Sequence, residues 1–142
     1  MKGNMDDAVH EGAHALFFPH GLGHALGMDV HDLEGLGEDL VGYDEKNLRS
    51  NQFGLAYLRF AKKPKPGNVL TDEPGIYFIP ELIDIWHREK KYSDFINYDK
   101  VESFKGFGGI RIEDDILVTE NGCRVLGKPI PKTVEEIETI MA

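Results

Sequence analysis

Gly109-Ile-Arg111-Ile-Glu113-Asp-Asp115-Ile-Leu-Val-Thr119 is the stretch that decides the fold. Apolar and polar residues alternate along it with the period of two that a half-buried strand requires, and Asp114-Asp115 marks an expected irregularity. Asn121-Gly122 follows, the dipeptide of a tight hairpin turn, and residues 123–126 return as the partner strand. Upstream, residues 68–73 after Gly67 and residues 76–79 after Pro74-Gly75 read as two more strands. Residues 81–91 read as an amphipathic helix carrying Ile85 and Trp86, and residues 51–61 as a short helix or turn ended by Pro64 and Pro66. At the start of the chain Asn4 caps a helix over residues 5–16, whose apolar stripe is Met5, Val9, Gly12, Ala13 and Leu16. Near its end Thr133 and Glu136 form a capping box, which opens a helix expected to bury Val134, Ile137 and Ile140. Glycines dominate from Gly21 to Gly42, so that region reads as mostly loop with short ordered pieces. Helices flanking antiparallel strands give an α+β class, with residues 1–142 as one unit.

Composition narrows the function. The chain has 142 residues, with 16 Lys plus Arg against 25 Asp plus Glu, a net charge of −9. An acidic balance excludes nucleic acid and anionic membrane as main partners, because phosphate binding needs surplus cations. The basic cluster Lys62, Lys63 and Lys65 lies around Pro64 and Pro66 and reads as a solvated turn. A single cysteine, Cys123, excludes an internal disulfide framework and suits a reducing compartment. No apolar run approaches the roughly 20 residues of a membrane span, and the first residues hold no signal-peptide core. The expected location is the cytoplasm.

Two histidine clusters invite metal chemistry. His10-Glu11-Gly-Ala-His14 is a literal H-E-x-x-H, with His20 where a third zinc ligand of the longer signature would fall. With Val9 central on the apolar face, His10, Glu11 and His14 point to the opposite side. Phe17 also replaces the glycine that the longer signature needs. Solvated histidines are therefore the expectation. The second cluster, Pro19-His20-Gly-Leu-Gly-His24-Ala-Leu-Gly-Met-Asp29-Val-His31-Asp32, sets three imidazoles within twelve residues of glycine-rich backbone that can crowd a small ligand. Two glutamates stand in stiff surroundings: Glu73 precedes Pro74-Gly75, and Glu113 shares a strand face with Arg111. Buried carboxylates need a cation or hydrogen bonds. Arg111 is one candidate for Glu113, and a divalent ion such as Mn²⁺, Co²⁺, Fe²⁺ or Zn²⁺ is another.

Taken together, three segments resemble the Xaa-Pro aminopeptidase and prolidase family, the "pita-bread" metallopeptidases that include methionine aminopeptidase. They are His20 through Asp32, then Thr71-Asp-Glu73-Pro-Gly-Ile-Tyr77, then Gly109-Ile-Arg111-Ile-Glu113-Asp-Asp115. Their order and spacing agree, and the similarity covers nearly the whole chain. The resemblance implies the C-terminal half of a pita-bread catalytic domain, a curved antiparallel sheet with flanking helices. It implies metal-dependent hydrolysis of the peptide bond preceding proline, as aminopeptidase or dipeptidase. By position, His24, Glu73 and Glu113 are similar to metal ligands, with Glu73 also passing the proton. His31 is similar to the histidine that contacts substrate and steadies the tetrahedral intermediate, and His20 to the other substrate-side histidine. Arg111 is similar to the arginine that holds the metal-site carboxylates, and Tyr77 would line part of the proline pocket.

The family takes two further metal-binding aspartates from an N-terminal half that this chain does not resemble, and Asp6 and Asp7 match no such motif. The expected cofactors are two divalent ions in the complete enzyme, manganese foremost, with cobalt, zinc or iron as alternatives. Binding to this chain alone is expected to be weak or nil, with no useful turnover. The expected partners are a proline-containing peptide, the missing N-terminal half and further copies of the chain, because half of a two-part fold exposes a sheet edge and an apolar face. A non-catalytic binding module or a metal-free creatinase-like hydrolase on the same fold is the alternative. The intact set of His24, Glu73 and Glu113 argues against both.

Overall fold

The computed structural model describes residues 1–142. Helix α1 (Met5–Glu11) begins where Asn4 accepts hydrogen bonds from the backbone N–H groups of Asp6 and Asp7, at 2.8 and 3.3 Å. It ends at Gly12, whose φ of +95° is left-handed, and the chain continues as a 3-10 turn, Ala13–Leu16. That switch corrects the expected single helix over 5–16; of its stripe Gly12, Ala13 and Leu16 are buried as expected, and Met5 and Val9 are not. Ala8 is the buried residue of α1, while Met5 and Val9 are exposed. Gly12 is needed twice over, since a Cβ there would also sit 2.3 Å from the Gln52 amide nitrogen.

Within the glycine-rich region lie a 3-10 turn (Glu34–Leu36) and α2 (Glu38–Val41), and five strands and three helices follow. Residues 53–57 form turns, the second of the two expected forms. The strands are β1 (Val69–Asp72), β2 (Gly75–Phe78), β3 (Gly108–Arg111), β4 (Asp114–Thr119) and β5 (Gly122–Val125). Helices α3 (Pro80–Arg88) and α4 (Tyr98–Glu102) separate β2 from β3, and α5 (Val134–Met141) closes the chain. The five strands pair antiparallel, in a three-stranded sheet of order β1-β4-β5 and a two-stranded ribbon β2-β3. The segment 109–119 is thus two strands in two sheets, broken at Ile112-Glu113 and not at Asp114-Asp115. The physical reason lies across the ladder, where Pro74 has no N–H to donate and opens the pairing.

The opening causes no slip. Asp72 pairs with Asp114 on one side and Gly75 with Arg111 on the other. The Ile112 N–H donates to the Pro74 carbonyl at 3.1 Å between them. Glu73 therefore stands opposite Glu113, and the two residues share a face with Arg111.

The core lies between the N-terminal segment and helices α3 and α4. It comprises Ala8, Ala13, Ala15 and Leu16 on one side and Ile83, Trp86, Ile96, Tyr98 and Val101 on the other. Ile83 and Trp86 carry the inner face of α3; Ile85, expected there, is exposed. The capping box of α5 forms as read, with Glu136 N–H donating to Thr133 Oγ1 at 3.2 Å and Thr133 N–H to Glu136 Oε2 at 2.9 Å. Val134, Ile137 and Ile140 are nevertheless exposed, because no other element of the chain lies under that face. A second bare apolar surface lies on the β2-β3 ribbon. There Ile76 pairs with Ile110, and both join Phe78, Phe107 and Ile112 around a depression of about 460 Å³. The accessible surface is 9910 Å² for 16.0 kDa, against about 7,400 Å² for a compact monomer of that mass. The chain thus exposes about 2,500 Å² more than a compact monomer would.

Candidate active site

The site is built where residues 22–26 lie along the free edge of β1. Glu73 N–H donates to Leu22 C=O (2.6 Å), Thr71 N–H to His24 C=O (2.9 Å) and Leu26 N–H to Val69 C=O (3.0 Å). On its other side this segment bridges Arg59 through Gly23. The crossing leaves no room for side chains. A Cβ at Gly23 would fall 2.0 Å from the Thr71 carbonyl oxygen, and one at Gly21 2.4 Å from that of Leu58. The glycines around His24 therefore serve close backbone approach.

His24, Thr71 and Glu73 are all buried. Thr71 Oγ1 accepts the His24 backbone N–H at 2.9 Å and donates its own proton to Glu73 Oε1 at 2.6 Å. The other carboxylate oxygen, Oε2, accepts from Arg111 Nη1 at 3.1 Å. Arg111 also donates from Nε to the Tyr77 hydroxyl (2.6 Å) and from Nη2 to His20 Nε2 (3.2 Å). His20 Nδ1–H is directed at the Gly21 carbonyl at 2.6 Å, which leaves Nε2 free to accept. Arg111 thus locks Glu73, Tyr77 and His20 into one network.

The His31 ring packs edge-on against His24 at 4.1 Å between centroids. Behind it stand Arg59 and Glu34. Arg59 Nη1 lies 2.6 Å from Glu34 Oε1 and 3.1 Å from His31 Nδ1, and His31 Nδ1 lies 3.2 Å from Glu34 Oε2. Burial pushes the Glu34 carboxyl up, but the Arg59 hydrogen bond and charge, with His31 and His24, outweigh it and hold the group below the usual carboxylate range. The space enclosed is about 210 Å³, lined by His20, His24, His31, Glu73 and Arg111 together with Tyr57 and Arg59.

The hydrogen bonds around His24 and Glu73 show what the pair can hold. His24 Nδ1 lies 3.1 Å from the Ala25 carbonyl, which can only accept, so Nδ1 carries the proton. Nε2 then presents a lone pair to Glu73 Oε1, 3.2 Å away. Two acceptors aimed at each other in a buried place call for a cation between them, a proton or a metal ion. An imidazole fixed by a carbonyl behind it is the usual support of a metal ligand. The residues fit a divalent ion.

The structure brings together His20, His24, His31, Glu73 and Arg111. It places Tyr77 behind them, against His20 at 5.4 Å between ring centroids and under Arg111. Glu113, although opposite Glu73 in the ladder, is exposed and outside the cavity. No three His, Cys, Asp or Glu side chains converge as a metal cage. His10 and Glu11 are exposed, and Gly12 breaks the helix before His14. His14, expected in solvent, is half-buried with Nδ1 unpartnered, because the 3-10 turn rolls it inward. The sequence reading missed Thr71, Glu34, Tyr57 and Arg59. Thr71 lies two residues before Glu73 on a strand, a spacing that signals a shared face; Arg59 carries no local signal.

Comparison with known proteins agrees with this geometry. The family model for metallopeptidase family M24 matches residues 3–120. Xaa-Pro dipeptidase of Homo sapiens is 46% identical over 142 residues, all of this chain and 27% of that protein. A probable Xaa-Pro aminopeptidase of Aspergillus clavatus is 39% identical over 142 residues, covering 28% of its length. Among solved structures, aminopeptidase P from E. coli with the inhibitor Pro-Leu superposes with a TM-score of 0.61 at 35% identity, over 99% of this chain and 24% of that one. The same enzyme has been solved zinc-substituted in complex with product. The chain spans about a quarter of the length of these relatives. With His24 and Glu73 facing each other beside His20, His31 and Arg111, and with a match running through nearly all of its sequence, the chain belongs to metallopeptidase family M24.

Proposed function

We propose that this chain supplies one part of the active site of a hydrolase that cleaves the peptide bond preceding proline. The observation that carries the reading is the pair of opposed acceptors, His24 Nε2 and Glu73 Oε1, inside a cavity walled by histidines and arginines. His24 and Glu73 would hold a divalent ion, with Glu113 a third ligand from across the ladder opening. Such an ion supplies Lewis-acid polarisation of a carbonyl and lowers the pKa of bound water. Glu73 is the group placed to take and return a proton, with Thr71 fixing one oxygen and Arg111 the other. His31 is placed to donate to a developing oxyanion, its ring steadied by His24 and by the Arg59–Glu34 pair. His20 lines the substrate side, oriented by Arg111.

The complete enzyme would hold two ions, manganese foremost, with cobalt, zinc or iron as alternatives, and would draw further ligands from an N-terminal half. The bare apolar surfaces support that partner and also homo-oligomer formation. A cytoplasmic location fits the exposed free Cys123.

Titration calorimetry with Mn²⁺ and Co²⁺ tests the reading on the chain itself. One weak site is expected, lost in His24→Ala and Glu73→Gln, with glycylproline not turned over by the chain alone. Two tight sites would show the metal centre to be complete in this chain. No heat, with the His24 imidazole resonances unmoved, would remove the metal centre from the proposal.

A further inference from the structure

Every side chain on the cavity wall is polar except one. Imidazoles, a carboxylate and guanidiniums face the space, and these groups are largely engaged with one another. Tyr57 is the exception, and no motif above accounts for it. It is 66% exposed, so its ring stands at the rim with surface left to cover. A ligand carrying aliphatic carbon has only this ring on which to lay it.

The ring is held from both sides along the chain and from behind. Gly54, at φ +86°, brings the turn so near the core that a Cβ there would lie 2.5 Å from the Ala15 Cβ. After Tyr57, the Leu58 N–H donates to the Tyr43 hydroxyl at 3.3 Å and the Arg59 N–H to Glu38 Oε1 at 2.9 Å. The Arg49 guanidinium, outside the cavity, lies over the Tyr57 ring at 5.3 Å and over the Tyr43 ring at 5.7 Å. Arg49 is anchored in turn, with Nη2 3.0 Å from Glu38 Oε2 and Nε donating to Asp39 Oδ1 at 2.7 Å. A cation occupies one face of the ring and leaves the rest of it for contact. An aromatic ring fixed in advance gives broad contact at little entropic cost when a ligand arrives.

We propose that Tyr57 is a specificity-determining residue: a pre-set aromatic platform on the cavity rim that takes an aliphatic group of a peptide ligand. Two groups share that chemistry, the pyrrolidine ring of proline and an aliphatic side chain on the residue after it, and the test separates them. The choice of proline-containing ligands rests on the peptidase reading; the platform does not.

The test is binding of glycylproline, glycylalanine, glycylprolylleucine and glycylprolylglycine to the full chain, with NMR of the ligand protons. Each methylene that the ring takes out of water is worth about fourfold in affinity, so one pair should separate by about four- to sixteenfold. Glycylproline will exceed glycylalanine if Tyr57 takes the pyrrolidine ring, and glycylprolylleucine will exceed glycylprolylglycine if it takes the neighbour. Protons of the favoured group should move upfield in the ring current. Tyr57→Phe should keep the preference and the shift, Tyr57→Leu part of the preference without the shift, and Tyr57→Ser neither. The weaker ligand of the pair should bind all variants as it binds wild type. A ring that merely braces Arg49 would, when replaced, lower the urea midpoint and leave the affinity ratio where it was. The inference is overturned if neither pair separates, if the upfield shift survives in Tyr57→Leu, or if Tyr57→Ser weakens both members of each pair alike. Calorimetry with Mn²⁺ keeps the two readings apart: the shift without metal uptake leaves the platform standing while the peptidase reading falls, and metal uptake without the shift does the reverse.

Discussion

Thr71→Val is the sharpest probe of the buried site, because valine keeps the shape of threonine and removes only the hydroxyl. That hydroxyl has two jobs: it donates to Glu73 Oε1 at 2.6 Å and accepts the His24 N–H at 2.9 Å. Losing a hydrogen bond to a charged group costs about 1.5–3 kcal/mol, and a buried donor left unpaired about 1–3 kcal/mol. The two losses share one atom and do not add fully, so the expected cost is about 2–4 kcal/mol. For 142 residues, an unfolding entropy near 2.1 cal/mol/K per residue converts this to a fall in Tm of about 7–13 °C. Urea unfolding should show the midpoint lowered with an unchanged m-value. Thr71→Ser, which restores the hydroxyl at the loss of a methyl, should recover more than half of the difference. A valine variant within about 0.5 kcal/mol of wild type, or a serine variant as damaged as the valine one, would show that the hydroxyl does not hold the site together.

Three further outcomes are expected. Gly23→Ala places a Cβ 2.0 Å from the Thr71 carbonyl oxygen, so unfolding should become easier by about 1–3 kcal/mol or more; an unchanged midpoint in denaturant would refute the close crossing. The Tyr98 hydroxyl, buried and near the Glu89 charge, has its pKa pushed up to about 12. Since the unfolded chain loses that proton first, stability should fall as pH rises from about 10 to about 12, by a total of order 2 kcal/mol. Absorbance titration should find one tyrosine ionising last, near pH 12. The bare ribbon face around Ile76 and Ile110 should drive self-association, visible by light scattering as mass that grows with concentration. Ile76→Lys with Ile110→Lys should reduce it, and a wild-type monomer at all concentrations would contradict the idea.

What could be read from the sequence was what is local. The Asn4 cap and the Thr133–Glu136 box each depend on a few neighbouring residues, and each forms; the hairpin forms too, but its turn residues are Glu120 and Asn121, one place earlier than expected, with Gly122 already paired with Thr119. Alternation located the strand segment of residues 109–119, while Gly67, Pro74-Gly75 and Asn121-Gly122 marked where β1, β2 and β5 begin. Three kinds of fact were hidden. The left-handed turn at Gly12 ends α1 early, and its buried residue is Ala8 rather than Val9. The amphipathicity of α5 showed which side is apolar, but amphipathicity cannot say whether anything meets that side. Arg59 and Glu34 reach the site through backbone conformations unusual for their residue types, at Arg59 itself and at Leu33. The break at Ile112-Glu113 could have been placed correctly, since Pro74 announces a missing donor on the facing strand.

That break has a consequence for how the chain tolerates change. Pairing resumes beyond it in the same phase, so everything downstream keeps its parity with β1 and the segment beside it. Losing or gaining a single residue in the connection would invert that parity, turning Arg111 away from Glu73 and carrying Ile110 to the opposite side. The site is thus guarded less by the chemistry of Ile112 than by the count of residues around it: its side chain could be exchanged, but its place in the frame could not be vacated.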